Sequence, residues 1–149
     1  MITGAFQEDF PDAVLFSCTL NSVRSPMAEG LMKHLYGTRV YVDSAGAQQG
    51  PVDGFVIAAM AEMDIDLSQH RPKSFEDLTD NYFDVIIALS PEAQHHAVEL
   101  TRTLACEVEF WNTFDPTITE GSREERLDAY RMVRDQLKAR LIKRFGTGQ

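Results

Sequence analysis

Cys18 and Arg24 stand at the two ends of the stretch Ser17-Cys18-Thr19-Leu20-Asn21-Ser22-Val23-Arg24-Ser25-Pro26. A thiol is a nucleophile, and a guanidinium is a planar fork that matches two oxygens of a phosphate-like anion. The stretch follows the apolar run Ala13-Val14-Leu15-Phe16 and leads into Ser25-Pro26, an N-cap candidate with proline at the first helical position. A loop that leaves a buried strand and enters a helix can wrap an oxyanion with its backbone N–H groups, and the helix dipole favours negative charge there. The same field favours the thiolate of Cys18. Thr19, Leu20, Asn21, Ser22, Val23, Arg24 and Ser25 are therefore the candidate anion cradle, with Cys18 at its floor. That is the equipment for in-line attack on the central atom of a bound oxyanion.

The elements that would position this loop are legible as alternating patterns. Further apolar runs occur at Val40-Tyr41-Val42, Val85 to Leu89, and Val108 to Trp111 with Cys106 ahead. The runs at 13–16 and 85–89 are continuous rather than alternating, as in strands buried on both faces. Helical spacing is predicted from Ser25 to a stop at Gly37, and from Pro51 to Met63 with Val52, Val56, Met60 and Met63 on one stripe. Ser90-Pro91 opens another helix carrying Ala93, Ala97 and Leu100. Ser122 and Glu125 form a capping-box pattern ahead of Leu127, Tyr130, Val133, Leu137, Leu141 and Phe145, with Gly146 at the end. Strands alternating with helices imply one α/β domain: a four-stranded parallel sheet with helices on both faces and the anion loop after the first strand. Ligands in such sheets sit beyond the carboxyl ends of the strands, here after Phe16, Val42, Leu89 and Trp111. Residues 1–12 read as a loose tail and 13–149 as the domain.

Composition limits the partners. The 149 residues include 14 Lys and Arg against 23 Asp and Glu, a net charge of −9, which argues against nucleic acid and anionic membrane surfaces. No apolar run approaches the ~20 residues of a membrane span, and the start lacks the basic and apolar regions of a signal peptide. Two cysteines are too few for a disulfide framework, so a reducing cytoplasm is the expected setting. Residues 123–149 run against the average, with eight basic side chains to four acidic ones, and read as a solvated helix face. His95 and His96 are neighbours on a helix without a second pair at ligand spacing, so no metal is expected. His34 reads as exposed, His70 and Trp111 as structural, and Cys106 as a buried structural cysteine.

The segment Cys18 to Arg24, followed by Ser25-Pro26-Met27-Ala28-Glu29, resembles the signature loop of low-molecular-weight protein tyrosine phosphatases, whose fold includes the thioredoxin-coupled arsenate reductases. Val42-Asp43-Ser44-Ala45-Gly46 is similar to the family's second strand and loop, and Phe114-Asp115-Pro116 to its general-acid loop. The resemblance implies that Cys18 is the nucleophile, Arg24 the phosphoryl clamp and Asp115 the acid. It further implies that Ser25 bonds the thiolate, and that Asn21 holds the loop with help from Ser44. The implied reaction is hydrolysis of an aryl phosphate monoester, on a phosphorylated protein or a small molecule, through a phosphocysteine and without cofactor or metal. Phosphate, sulfate or arsenate would occupy the same loop.

Three positions depart from that family. Leu20 stands where glycine is usual, and a positive φ there would cost ~1–2 kcal/mol. Val23 replaces a second loop cysteine. Thr117 and Ile118 follow the acid loop in place of tyrosines, and Ala47-Gln48-Gln49-Gly50 offers no aromatic wall, so there is less area to stack on an aryl ring. His70-Arg71-Pro72-Lys73-Ser74, Trp111 and the stretch from Glu120-Gly121 to Arg134 resemble the arsenate reductases instead. The relay cysteines of that branch are absent from Ala88 to His96. Arsenate reduction would therefore draw on an external thiol such as glutaredoxin, glutathione or thioredoxin. A non-catalytic oxyanion-binding module is the remaining alternative.

Overall fold

A computed structural model describes residues 10–78 and 82–146 of the chain. β1 (Ala13–Cys18) is buried at every position, as its unbroken apolar run requires. It lies between β2 (Tyr41–Gly46) and β3 (Val85–Ala88), with β4 (Glu107–Phe110) outside β3, and all pairings are parallel in the order β2-β1-β3-β4. The chain runs from β1 to β2 on one side and then crosses back past β1 to β3 on the other, so the strand order reverses at β1 and its carboxyl end is where an open α/β sheet leaves a crevice. Cys18 is the last residue of that strand, level with Gly46 of β2.

Four helices cover the two faces. α1 (Arg24–Tyr36), α2 (Gly54–Ala61) and α4 (Arg123–Phe145) bury Met27, Leu31, Val56, Met60, Leu137 and Leu141 against Val14, Phe16 and Ile87. α3 (Pro91–Leu100) packs Ala97 on the opposite face with Leu15, Ile86 and Phe83. The capping signals at Ser90 and Ser122 are both used, each hydroxyl accepting from the amide three residues on, and Gly37 ends α1 with φ +60°. α2 is shorter than the predicted Pro51–Met63. Asp53 caps it through Phe55 N at 2.7 Å, and Asp64 turns the chain away with φ +62°.

Two further expectations need correction. The basic carboxyl-terminal helix is not merely solvated. Arg134 bonds Glu62 and the Ala59 carbonyl, Arg131 bonds Glu62, and Arg144 bonds Glu109, so these cations tie α4 to α2 and β4. Arg131 first and Arg134 second hold the Glu62 carboxyl down to about 2. Cys106 is half-buried rather than buried. Phe10, left in the tail by the sequence, packs edge-on against Tyr36 and Phe145 at 5.3 and 5.9 Å. Residues 1–9 of that expected tail lie outside the described residues. Among the described residues no helix is long and apolar enough to cross a membrane.

Candidate active site

The loop that follows Cys18 is docked on the segment after β2 through its first carbonyls. The carbonyls of Cys18, Thr19 and Leu20 accept from the amides of Ala47, Gln48 and Gly50 at 3.0, 2.9 and 3.1 Å. Among the described residues, no protein acceptor takes the amides of Leu20 to Arg24. They remain a concave set of donors at a helix start, the geometry that binds anions. Gly46 makes this docking possible. A Cβ there would stand 2.6 Å from Asn21 N and 2.7 Å from Leu20 C, inside any permissible contact. The positive φ falls on Asn21 at +57°, not on Leu20. Asparagine tolerates that region far better than leucine, so the strain expected at Leu20 is not incurred.

Behind the loop, hydrogen-bond polarity can be worked out residue by residue. Lys73 N is a donor by its chemistry, so the Asn21 atom 3.0 Å away is the side-chain oxygen, which puts the amide nitrogen on the other side. That nitrogen donates to Ser25 Oγ at 2.8 Å and Ser44 Oγ at 2.9 Å. Ser44 Oγ in turn donates to Glu29 Oε1 at 2.5 Å. Ser25 is left with its proton for Cys18 Sγ at 2.9 Å, and its backbone N–H reaches the same sulfur at 3.4 Å. The sulfur thus accepts from the Ser25 backbone N–H and bonds the same residue's hydroxyl. Ser25 is consequently not the N-cap. Val23 holds that position with no side-chain bond, because the serine hydroxyl serves the sulfur.

His70 completes the support. Its Nε2 faces the Asn21 carbonyl oxygens of side chain and backbone at 3.1 and 3.3 Å, two acceptors, so Nε2 carries a proton. Burial pushes the imidazole below the ordinary histidine range, with Glu29 opposing from 4.0 Å. His70, read as structural, has that role here, whereas sequence reading assigns no role to Glu29. Glu29 lies in an apparently ordinary helical turn, and its partners Ser44 and His70 are distant in the chain. Ser44, which the resemblance places beside Asn21, comes to lie by the loop through the register of β2 against β1.

Arg24 and Asp115 meet at the mouth. Arg24 donates to the Thr113 carbonyl at 3.1 Å and to Thr19 Oγ1 at 3.3 Å, and its Nη2 stands 3.9 Å from Asp115 Oδ2. Asp115 Oδ1 is taken by the amide and hydroxyl of Thr117 at 3.0 and 2.7 Å, which leaves Oδ2 toward the arginine. A cleft of about 260 Å³ joins these groups. Cys18, Thr19, Leu20, Ser22 and Val23 form its floor, with Arg24 and Asp115 above them. Trp111 is buried beside Phe16 and packs rather than lining the cleft, and His95 and His96 lie on α3 with rings nearly perpendicular. Among the described residues no three His, Cys, Asp or Glu side chains are placed to hold a metal ion. Cys106 sits one residue before β4, level with Ala13, so five strand residues, about 16 Å along the sheet, separate it from Cys18.

Comparison with known proteins shows the family and the fold. The family model described as low molecular weight phosphotyrosine protein phosphatase matches residues 13–145. An arsenate reductase of Shouchella clausii (strain KSM-K16) is 36% identical over 138 residues, covering 91% of this chain and 96% of the relative. A solved arsenate reductase in its phosphate-binding state is 29% identical with a TM-score of 0.70, covering 93% of this chain and 99% of that one. A tyrosine phosphatase of Erwinia amylovora shares the fold with a TM-score of 0.71 at 18% identity, covering 91% of each chain.

Proposed function

The chain belongs to the low-molecular-weight phosphotyrosine protein phosphatase family, and from that premise we propose that it hydrolyses aryl phosphate monoesters, foremost protein phosphotyrosine, through a phosphocysteine. The observation that carries this reading is the convergence of a donor-held sulfur, an arginine fork and a carboxylate oxygen in one cleft. Cys18 Sγ attacks phosphorus as the bond to the leaving oxygen breaks, and Asp115 Oδ2 gives that oxygen its proton. Asp115 then takes a proton from water, whose oxygen attacks phosphorus and expels the Cys18 thiolate. Loop amides and Arg24 hold the charge on the equatorial oxygens, and the Ser25 hydroxyl steadies the departing sulfur. The reaction needs Cys18 as a free thiol, the state a reducing cytoplasm maintains.

Arsenate reduction is the second reading, favoured by the names of the relatives. Cys18 would form a thiol adduct with arsenate, losing water. An external thiol would then attack the Cys18 sulfur, releasing arsenite and leaving a mixed disulfide for a second thiol to resolve. Cys106 cannot take that part from about 16 Å away. A paired assay separates the readings. Aryl phosphate hydrolysis that disappears in Cys18→Ser, with phosphocysteine trapped in the wild type, supports the first. Arsenate loss that depends on glutaredoxin, glutathione or thioredoxin, without phosphatase turnover, supports the second. Phosphate binding by calorimetry with neither turnover would reduce the protein to an oxyanion-binding module.

A further inference from the structure

The cleft over Cys18 opens across the first turn of α3, where Ser90, Pro91 and Glu92 line it. Pro91 and Glu92 are also a wall of the adjoining hollow, about 490 Å³, completed by Ala47, Gln48, His95 and His96. Neither lining includes Phe, Tyr or Trp, so stacking on an aryl ring is not what this surface supplies. What it supplies is a carboxylate. Glu92 is exposed, and its Oε1 accepts from Thr19 Oγ1 at 3.0 Å, next in sequence to the nucleophile.

A carboxylate in that place repels a phosphoryl dianion. Of the charged side chains lining the cleft, Arg24 is the clamp of the proposed reaction and already bonds the Thr113 carbonyl and Thr19 Oγ1, and Asp115 and Glu92 are acidic. Arg123 and Arg126 lie over the Phe55 ring at 5.7 and 4.6 Å and line neither hollow. The chain as a whole carries −9, so the long-range field has the same sign. A substrate that brings its own cation turns this repulsion into attraction. An extended peptide advances about 3.3–3.6 Å per residue, so side chains flanking a phosphorylated residue at Cys18 pass the Glu92 carboxylate.

We propose that Glu92 is a specificity residue that selects phosphorylated peptide segments bearing Lys or Arg within two positions of the phosphorylated side chain. The proposal rests on the phosphatase reading and names its substrate class. A glutamate in the first turn also suits the helix dipole, but that role would affect every substrate alike.

The test compares wild type with Glu92→Gln on two phosphotyrosine peptides, identical except for Lys or Glu beside the phosphotyrosine, and on an aryl phosphate with no charged group besides its phosphate. Assays at about pH 8 keep ordinary imidazoles neutral. At low ionic strength the wild type should prefer the Lys peptide by about tenfold in kcat/KM, a preference that shrinks with added salt. Glu92→Gln should lower kcat/KM for the Lys peptide and raise it for both the Glu peptide and the aryl phosphate. A wild type without preference, or a preference that survives in Glu92→Gln, overturns the proposal even where aryl phosphate is turned over. If no substrate is turned over, it is the phosphatase reading that fails. The same peptides are then titrated calorimetrically into Cys18→Ser and Cys18→Ser/Glu92→Gln. Tighter binding of the Lys peptide, lost in the double variant, sustains selection by Glu92, and equal binding of the two peptides refutes it.

Discussion

The two edges of the sheet each present a cysteine next to a cavity, yet only one edge is equipped for chemistry. At the amino edge, Cys106 borders a groove of about 960 Å³ shared with Phe10, Asp12, Asp84, Glu107 and Arg144, several times the volume over Cys18. Its inner neighbours are apolar, Leu15, Phe83, Ile86 and Leu104 among them, and burial pushes its thiol up. At the carboxyl edge the cavity is small, but Ser25 bonds the sulfur through both its hydroxyl and its backbone N–H, the loop amides have no protein acceptor among the described residues, and Arg24 and Asp115 approach to 3.9 Å. Volume does not make the site. The directional donors that parallel strands deliver to one edge do.

The sharpest way to break this contrast is to exchange the thiols in turn. Cys18→Ser should lower turnover by at least about 10⁴-fold, whereas Cys106→Ser should stay within about twofold of wild type. A large loss in the second variant would mean that the amino edge takes part in the reaction. Next in size is Asp115→Asn, for which kcat should fall by about 10²–10³-fold with little change in KM. A rise in KM alone would recast Asp115 as a binding group paired to Arg24.

Two smaller effects sharpen the account of what lies behind the loop. Asn21→Ala removes bonds to Ser25, Ser44, Lys73 and His70 and places alanine at a positive φ. It should cost about 2–4 kcal/mol by denaturant unfolding and lower kcat by about tenfold, unlike substitutions at the amino-edge groove. The last concerns acid. Because the folded protein holds His70 below its ordinary range, the neutral imidazole's contribution is complete above about pH 6.5 and declines as pH falls toward the folded value. His70→Gln should flatten the stability profile between about pH 7 and 5, by at most ~1.4 kcal/mol per pH unit. An unchanged slope would show that another group governs acid sensitivity.

Much of this arrangement is readable in the chain because it rests on local rules. The apolar runs of β1 and β3, the caps at Ser90 and Ser122, and the stop at Gly37 each follow from side-chain chemistry within a few residues. So does the candidate cradle, where the nucleophile and the fork sit in one loop. Ser25 shows where local reading fails. A serine before Pro26 has the same appearance whether its hydroxyl caps a helix or holds a sulfur, and Cys18 and Asn21 decide between them. The partners of Glu29 and His70 are illegible for another reason, since they arrive from other strands and loops. Leu20 is instructive as well. The loop needs one left-handed residue and takes it at Asn21, a choice that a position-by-position comparison with glycine misplaces.

The reactive centre gathers residues 18–25 from the end of β1, Ser44 and Gly46 from β2, His70 and Lys73 from the approach to β3, and Asp115 from beyond β4. During synthesis these parts leave the ribosome in that order. A chain stopped short of Asp115 also lacks α4, whose Leu137 and Leu141 share the core with Phe16 and Cys18, so the loop's own support is incomplete until the last helix is made. Turnover is therefore a report on completed assembly, and a catalytic assay of this protein is at the same time an assay of its folding.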